Sequence, residues 1–438
     1  MQDILRILWY HGARHHFEED PMTDTAKVQV TRVTELGNRE ATVLEHSSLR
    51  VMIDDEGGMI PELSAADSGK ARINAHWLPW FRSNSGKPYN EKENGAFWTA
   101  SLLYNLAGNF PCLPNFGGGH KTGGFEMPAH GWTANLSWKF RESGVHDGTG
   151  WALSTMESPE SAMPLSFRKI DAVIPGQSVH YTSIVVKNRG KEAAEICAGW
   201  HNTLGAPFVA KGAKISACAD RWITAPAGSE FDTTTRFAPG AEFSSLKEAP
   251  LQKGGKADIS EVPGPIGYTD FAAGRVSAKT HLGWSSLVNP GLKLAYITFF
   301  TGPAAAGAED IIFRFNDLWM QYGGRPYTPW AAYKGATDLT YCLGTENSIA
   351  AFAQGLEYSK KIKKVLDTPV TVTIPAGEEK ILRYGTLFAG YEQNILDEGI
   401  TAVEGEKGGL VCQGKNGHWR FAADPGFGVL KELEKKRA

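Results

Sequence analysis

The chain has 438 residues, of which 42% are hydrophobic and 21% are charged, and its formal net charge is −3. This composition is ordinary for a globular protein, and so small a charge gives no electrostatic reason to expect nucleic acid or an anionic membrane as a partner. The five cysteines are scattered and form no CxxC pair, which argues against a zinc site or a disulfide framework and for reduced thiols in the cytoplasm.

Residues 1–26 are predicted to be a leader outside the folded body. Their apolar patch, ILRILWY, follows an acid and contains an arginine, and no small-residue cleavage site comes after it, so we expect no secretory signal. We interpret the polar run that begins at His15 and His16 as part of this leader rather than as a metal site, and Met22 is an alternative start. No stretch of the chain approaches the roughly 20 apolar residues of a membrane span.

The body of the chain is predicted to consist of short strands separated by turns rich in Gly, Pro and Asn. The strand-like segments are residues 49–53, 179–186, 294–300, 311–315, 370–374 and 381–388. Helical patterns are few, the best being residues 394–399 and 429–436.

Many short strands without alternating long helices predict an all-β fold, a large antiparallel β-sandwich. We expect this sandwich to span residues 27–391, with residues 392–438 as a C-terminal appendage. Residues 228–265 are rich in Gly, Ala, Pro and Lys and are predicted to form a long surface excursion.

Three side chains in the strand-rich region are candidates for proton transfer. They are His130 in the run PAHGW, His201 in GWHNTLG and Glu346 in YCLGTEN. Two imidazoles and a carboxylate can move protons on and off a neutral polar substrate near pH 7 without a cofactor or a metal, so we expect neither. Each has a structural alternative: a strand-end histidine bonded to a carbonyl, a core histidine, and a cap for a helix over residues 348–356.

The order of these motifs resembles the galactose mutarotase-like superfamily of aldose 1-epimerases and hexose-6-phosphate mutarotases. Residues 108–117 (GNFPCLPNFG) resemble its Gly-x-x-Pro-x-x-Pro-x-Phe-Gly segment, and residues 128–131 (PAHG) resemble its Pro-x-His-Gly strand. Trp200-His201-Asn202 and Thr345-Glu346 follow in the family's order. The resemblance runs from about residue 49 to about residue 388.

The resemblance implies a galactose mutarotase-like supersandwich that binds a sugar in an open cleft. It implies that Glu346 is the general base, that His201 is the general acid, and that His130 holds and polarises the sugar. Four further residues are predicted to bind the substrate on the same basis, with solvated or core positions as the alternative: Arg82, Asp270, Asn135 and Trp200.

The sequence departs from the phosphosugar members of the family at two positions. Where they carry arginines near the first Pro and after the His-Gly pair, this chain has Ala107 and Ala134. A phosphate dianion needs fixed cationic donors, so a free sugar is the favoured substrate.

The leading hypothesis is therefore a cofactor-independent epimerase that interconverts the anomers of a free, small-molecule carbohydrate. The alternative is a non-catalytic carbohydrate-binding protein on the same sandwich, because the 13 tryptophans suit both sugar stacking and core packing. Action on a polysaccharide is a weaker third option, since the long helical domain of such lyases is missing. The glycine-rich residues 117–124 lack the order of a phosphate-binding loop and are interpreted as a mobile loop over the cleft.

Overall fold

A computed structural model describes residues 27–35, 38–65, 72–84, 86–331 and 338–437. The predicted leader, residues 1–26, lies outside the described residues. Every strand pair named below is antiparallel, as a sandwich without βαβ crossovers requires.

The N-terminal part of the described chain forms a five-stranded sheet followed by two short helices. The strands pair in chain order and the helices come after them: β1 (Gln29–Glu35), β2 (Arg39–His46), β3 (Leu49–Asp54), β4 (Glu62–Ala65), β5 (Ile73–Asn74), α1 (Glu91–Trp98) and α2 (Ser101–Asn105). Asn90 caps α1 by accepting hydrogen bonds from the backbone N–H groups of Lys92 and Glu93, which would otherwise be unpaired.

The central part of the described chain contains, besides the short 3-10 helices Trp132–Ala134 and Leu246–Glu248, most of the strands and one α-helix. In chain order they are β6 (Phe110–Cys112), β7 (His120–Thr122), β8 (Phe125–Met127), β9 (Lys139–His146), β10 (Thr149–Glu157), β11 (Leu165–Val173), β12 (Val179–Asn188), β13 (Ala194–Ile196), β14 (Ala198–His201), β15 (Thr203–Gly205), β16 (Lys214–Ala217), β17 (Ala219–Thr224), β18 (Glu242–Phe243), β19 (Ala249–Pro250), β20 (Lys256–Ala257), β21 (Tyr268–Val276), β22 (Leu282–Asn289), β23 (Leu294–Thr301), β24 (Phe315–Tyr322), β25 (Tyr341–Ile349), α3 (Leu356–Ile362), β26 (Lys364–Val365), β27 (Thr368–Pro369), β28 (Val372–Ile374) and β29 (Glu379–Gly390).

Two eight-stranded sheets form the sandwich. The first, which we call the site sheet, has the order β18-β17-β21-β24-β25-β14-β6, with β15 also paired to β25. The second, the backing sheet, has the order β16-β22-β23-β29-β12-β11-β10-β9. Two sheets packed face to face bury the inner side chains of both, and this arrangement confirms the predicted all-β sandwich.

The space between the two sheets holds aromatic rings and a buried hydrogen-bond network. Trp200 of the site sheet stacks on Tyr384 of the backing sheet, with ring centroids 4.8 Å apart. Asn202 donates to the Tyr384 hydroxyl at 2.7 Å and accepts from the Tyr296 hydroxyl at 2.9 Å. Because unpaired polar groups are costly in a dry core, this network holds the two sheets in one relative register.

The C-terminal segment covers the backing sheet. It consists of the three-stranded sheet β30 (Ala402–Glu406), β31 (Gly409–Gly414) and β32 (Gly417–Ala422), followed by α4 (Gly428–Lys436). Leu410, Phe421 and Leu430 share one hydrophobic cluster with Tyr181 and Phe299 of the backing sheet. The predicted appendage therefore shares a buried core with the sandwich.

Several local predictions are confirmed and others are wrong. Residues 179–186, 294–300 and 381–388 lie in strands, and α4 matches the predicted C-terminal helix. Residues 394–399 form turns rather than a helix, and only Phe315 of residues 311–315 is in a strand. The excursion at residues 228–265 is not merely superficial, since Phe231 and Val262 within it are fully buried.

Candidate active site

A cavity of about 240 Å³ opens on the outer face of the site sheet and contains all three proton-transfer candidates. His201 ends β14, Glu346 lies in the middle of β25, and His130 lies on the turn after β8. The alternative that Glu346 caps a helix is wrong, because β25 continues to Ile349.

Strand alternation explains why Glu346 faces the cavity. Successive side chains of a strand point to opposite faces. Asn347, the next residue, points inward and accepts a hydrogen bond at 3.1 Å from Thr298 of the backing sheet. In the same way Trp200 points into the core, whereas its neighbour His201 lines the cavity.

His201 and Glu346 are in direct contact. The Nε2 atom of His201 lies 3.1 Å from Oε1 of Glu346, and its Nδ1 atom lies 2.8 Å from the Thr203 hydroxyl. The imidazole also stacks on Phe110, with centroids 4.6 Å apart. Both ring nitrogens thus have partners and the ring face is packed, which fixes the orientation of the imidazole.

Burial sets the protonation of this pair. It lowers the pKa of His201 well below the usual range, and the nearby His130 ring adds to the shift. It also raises the pKa of Glu346 well above the usual range, with contributions from Asp317 and Glu230. Both shifts disfavour the charged forms, so both members of the resting pair are neutral, and the protonated Glu346 carboxyl donates to Nε2 of His201. The Nδ1–H of His201 then donates to Thr203.

His130 approaches the pair from a strained turn. Its backbone φ is +57°, in the left-handed region, and its ring centroid lies 4.9 Å from that of His201 in an edge-to-face arrangement. Burial lowers the pKa of His130 to about 4, so the ring is neutral at pH 7. Its Nδ1 atom is buried and has no hydrogen-bond partner among the described residues. A ligand in the cavity is one way to supply that partner.

Gly131 and Asn135 hold this turn in place. A Cβ atom at Gly131 would lie 2.2 Å from the carbonyl oxygen of Leu113, so only glycine fits. The side-chain amide of Asn135 donates to the carbonyls of Ala129 and Gly131, each at 2.7 Å. These two bonds bracket His130 and offset the cost of its strained backbone.

A second buried carboxyl lies beside Glu346. Asp317 of β24 is directly opposite Glu346 in the strand register, so both side chains are on the same face. Asp317 is 1% exposed, and burial raises its pKa to about 7, although a hydrogen bond from Ser348 opposes the shift. The sequence analysis did not identify Asp317, because an acid in an apolar strand has no motif of its own.

The structure corrects two of the predicted substrate-binding residues, because their charges are neutralised elsewhere in the protein. Asp270 is fully buried, accepts a hydrogen bond from the Nε of Arg236 at 2.7 Å and does not line the cavity. It alternates with Phe271, which does line the cavity. Arg82 forms a buried ion pair with Asp54.

The structure also corrects the prediction for Asn135 and Trp200. Neither lines the cavity. All the described hydrogen bonds of the Asn135 amide are internal, since its oxygen accepts from Ser101 at 2.7 Å. Trp200 is 1% exposed and stacks in the core. Asn135 thus acts on the site only through His130, and Trp200 through the packing of β14.

The cavity lining also includes residues that the sequence analysis missed. They are Trp319, Trp330, Tyr327, Arg325, Glu230 and Phe231. Gly117 and Gly118, from the glycine-rich segment predicted to lie over the cleft, line the cavity as well. The signal available in the sequence was the run RPYTPW at residues 325–330, which combines an arginine with two large aromatic residues. No sequence motif indicated Glu230, which lies in the excursion at residues 228–265.

The described cavity lining offers no cluster of metal ligands beyond the pair itself. Elsewhere, His146, Asp147 and Glu432 place ligand atoms within 4.8 Å of one another. Asp147 and Glu432 are exposed, and the Lys436 ammonium contacts His146, so this group gives no reason to infer a metal. Among the described residues, no helix combines the length and apolar character needed to cross a bilayer.

Comparisons with known proteins identify the fold. No sequence family model and no curated protein matches the chain. A candidate aldose 1-epimerase from Klebsiella pneumoniae is similar in structure, with a TM-score of 0.58 at 12% identity over 82% of this chain and 83% of that one. A galactose mutarotase-like protein from Clostridium acetobutylicum is similar with a TM-score of 0.55 at 12% identity, over 83% of this chain and 99% of that one. The chain therefore has the galactose mutarotase-like β-sandwich fold.

Proposed function

We propose that this protein is an aldose 1-epimerase-like isomerase that interconverts the anomers of a free monosaccharide. The observation that carries the proposal is the His201–Glu346 contact of 3.1 Å inside a cavity that also holds His130. The cavity volume of about 240 Å³ lies below the roughly 300–1,000 Å³ of drug-sized pockets, which suits a single sugar ring.

The reaction needs one acid and one base at the same time. Opening the ring requires removal of the proton from the C1 hydroxyl while the ring oxygen receives one. Rotation about C1–C2 then presents the other face of the carbonyl, and the ring closes with the two roles exchanged. Two well-placed groups contribute roughly 10²–10⁴-fold each, which suffices without a cofactor.

Glu346 and His201 suit these roles because they share one proton. In the proposed forward step the proton lies on His201, which donates it to the ring oxygen, and Glu346 takes the proton from C1. Because the raised Glu346 pKa and the lowered His201 pKa favour the neutral pair, the proton first passes from Glu346 to His201 in this step, whereas the reverse assignment, with Glu346 as acid and His201 as base, begins from the resting arrangement. A pair that can begin from either arrangement suits a reversible reaction between two anomers.

His130 is proposed to hold the sugar at the reacting end. Its neutral ring can donate one hydrogen bond to a sugar oxygen and accept another. Because the ring carries no charge, no charged group has to lose its hydration when the sugar binds to it. Trp319 and Trp330 line the cavity and provide apolar ring surface against which a pyranose can pack.

Saturation-transfer NMR on a panel of sugars tests the proposal. The wild-type protein should exchange the anomers of at least one sugar above the spontaneous rate, and Glu346→Gln should abolish that exchange while the sugar still binds. The matched control is Glu404→Gln, at an exposed glutamate of β30, which should exchange at the wild-type rate. Undiminished exchange in Glu346→Gln would remove this residue from the mechanism.

The second candidate function is sugar binding without catalysis. It is favoured by the aromatic residues of the cavity lining, Trp319, Trp330 and Tyr327, which a lectin-like site would also need. Calorimetry that detects sugar binding to the wild-type protein, together with anomer exchange at the spontaneous rate for every sugar in the panel, would support this alternative and exclude the isomerase.

A further inference from the structure

Arg325 introduces a positive charge into the cavity lining. It is the only Lys or Arg among the described lining residues. Its side chain is 8% exposed, and the guanidinium carbon lies 4.8 Å above the Trp330 ring and 5.7 Å from the Trp319 ring. The guanidinium is therefore largely removed from water and held in place by two aromatic faces.

The hydrogen-bonding capacity of Arg325 is mostly unused. A guanidinium has five N–H donors. The one described side-chain hydrogen bond runs from Nη2 to Oε1 of Glu230 at 3.2 Å, and Nε is buried without a partner among the described residues. A desolvated cation with open donors is costly unless a ligand or water completes its shell.

The counter-ion is held much more loosely than the cation. The side chain of Glu230 is 56% exposed, so it can turn into solvent at little cost, and an ion pair with so exposed a partner is worth little. Arg325 is thus pre-positioned for an anion, and Glu230 occupies the place that such an anion would take.

We propose that the sugar carries a carboxylate and that Arg325 binds this group after displacing Glu230, so that the substrate is an aldose of the hexuronic acid class. This inference rests on the proposed function and narrows its substrate. A planar carboxylate matches the guanidinium with two parallel hydrogen bonds. A phosphate dianion fits less well, because Arg325 is the only Lys or Arg among the described lining residues and would balance one of its two charges.

Anomer exchange and binding with paired sugars test the inference. Galacturonate is compared with galactose, and glucuronate with glucose, by saturation-transfer NMR and by calorimetry on the full chain. We expect the wild-type kcat/KM for at least one uronate to exceed that of its neutral partner by about 30-fold or more, as loss of a desolvated charge pair would predict.

Two variants locate the preference at Arg325. Arg325→Met should collapse the uronate-to-hexose ratio towards one. Glu230→Gln, which changes only an exposed side chain, should tighten uronate binding by about two- to fivefold because the competing carboxylate is gone. The matched controls Arg221→Met and Glu242→Gln remove another arginine–glutamate pair, 2.6 Å apart and outside the cavity lining, and should leave the ratio unchanged.

The outcomes separate this inference from the proposed function. Equal or faster exchange of neutral sugars overturns the carboxylate preference and leaves the isomerase intact. Uronate binding that depends on Arg325, without exchange of any sugar, supports the preference and removes the isomerase. A uronate that neither binds nor exchanges, or a Glu230→Gln variant that binds it no more tightly, counts against the inference even if Arg325→Met fails to fold.

Discussion

Among the described residues, two buried histidine–carboxylate pairs differ in whether a cationic side chain lies against the carboxyl group. His201 and Glu346 are 3.1 Å apart beside the cavity, and His180 and Asp171 are 3.0 Å apart in the backing sheet. In the second pair the ammonium of Lys169, 1% exposed, lies 2.8 Å from Asp171. The ammonium, the imidazole and the hydrogen bonds that both donate outweigh desolvation and lower the pKa of Asp171 to about 2.

The difference teaches how one residue combination yields either a fixed charge or a mobile proton. Beside Lys169, Asp171 remains ionised and the pair is part of a permanent ion cluster. No ammonium or guanidinium is described against Glu346, so burial dominates and the carboxyl keeps its proton. Only the cavity pair, with no cation described against its carboxyl group, provides a carboxyl that can release and regain a proton.

The largest expected effect comes from breaking the cavity pair. His201→Gln should lower anomer exchange by about 10²–10⁴-fold, because one partner of the shared proton is lost, while the unfolding free energy changes little. NMR exchange rates and urea unfolding measure the two quantities. If His201→Gln retained wild-type exchange, the shared-proton mechanism would be wrong.

Breaking the His180–Asp171 pair should lower the unfolding free energy and leave anomer exchange unchanged. Asp171→Asn leaves the Lys169 ammonium buried without its counter-ion, which should cost about 3–5 kcal/mol of unfolding free energy. Exchange per folded molecule should remain at the wild-type level, because this pair does not line the cavity. If urea unfolding gave Asp171→Asn the same unfolding free energy as the wild type, the fixed-charge interpretation would be wrong.

A smaller effect is expected from the residue that holds the His130 turn. Asn135→Ala removes both bonds to the flanking carbonyls and should lower exchange by about 10- to 100-fold through misplacement of the ring. The His130 ring resonances should shift, which general destabilisation of the fold would not predict. Ser101→Ala, which removes only the bond to the Asn135 oxygen, is the control and should have a weaker effect.

The pH dependence of stability should differ in sign between the two carboxyls. The pKa of Asp171 is depressed on folding, so its contribution, on the order of 2 kcal/mol, is present above pH 4 and lost as the pH falls towards 2. The pKa of Glu346 is raised on folding, so its contribution is present below pH 4.5 and lost as the pH rises through the folded pKa.

Two variants isolate these contributions. The difference in unfolding free energy between Glu346→Gln and the wild type should shift in favour of the variant as the pH rises above 4.5. The advantage of the wild type over Asp171→Asn should grow between pH 2 and 4 and then remain constant. Urea titrations at stepped pH measure both differences. If the two differences in unfolding free energy changed with pH in the same direction, the opposite signs expected for Asp171 and Glu346 would be wrong.

The sequence was sufficient for the fold class and for identifying three polar side chains that share the cavity. Period-two alternation predicted strands such as β12 and β23, and the motifs around His130, His201 and Glu346 identified side chains that the structure brings together. It was not sufficient for Asp270 and Arg82, because a charged residue in isolation does not reveal whether its counter-ion is a substrate or another side chain.

What the sequence by itself determined is local: which segments form strands, and which residues on them can carry protons. Only the tertiary structure decided what surrounds those residues. Strand pairing set Asp317 opposite Glu346, and the excursion brought Glu230 to Arg325 from 95 positions away. The protonation of a carboxyl depends on its distance to other charges and on its contact with water, and a folded chain sets both through contacts between residues far apart in the sequence.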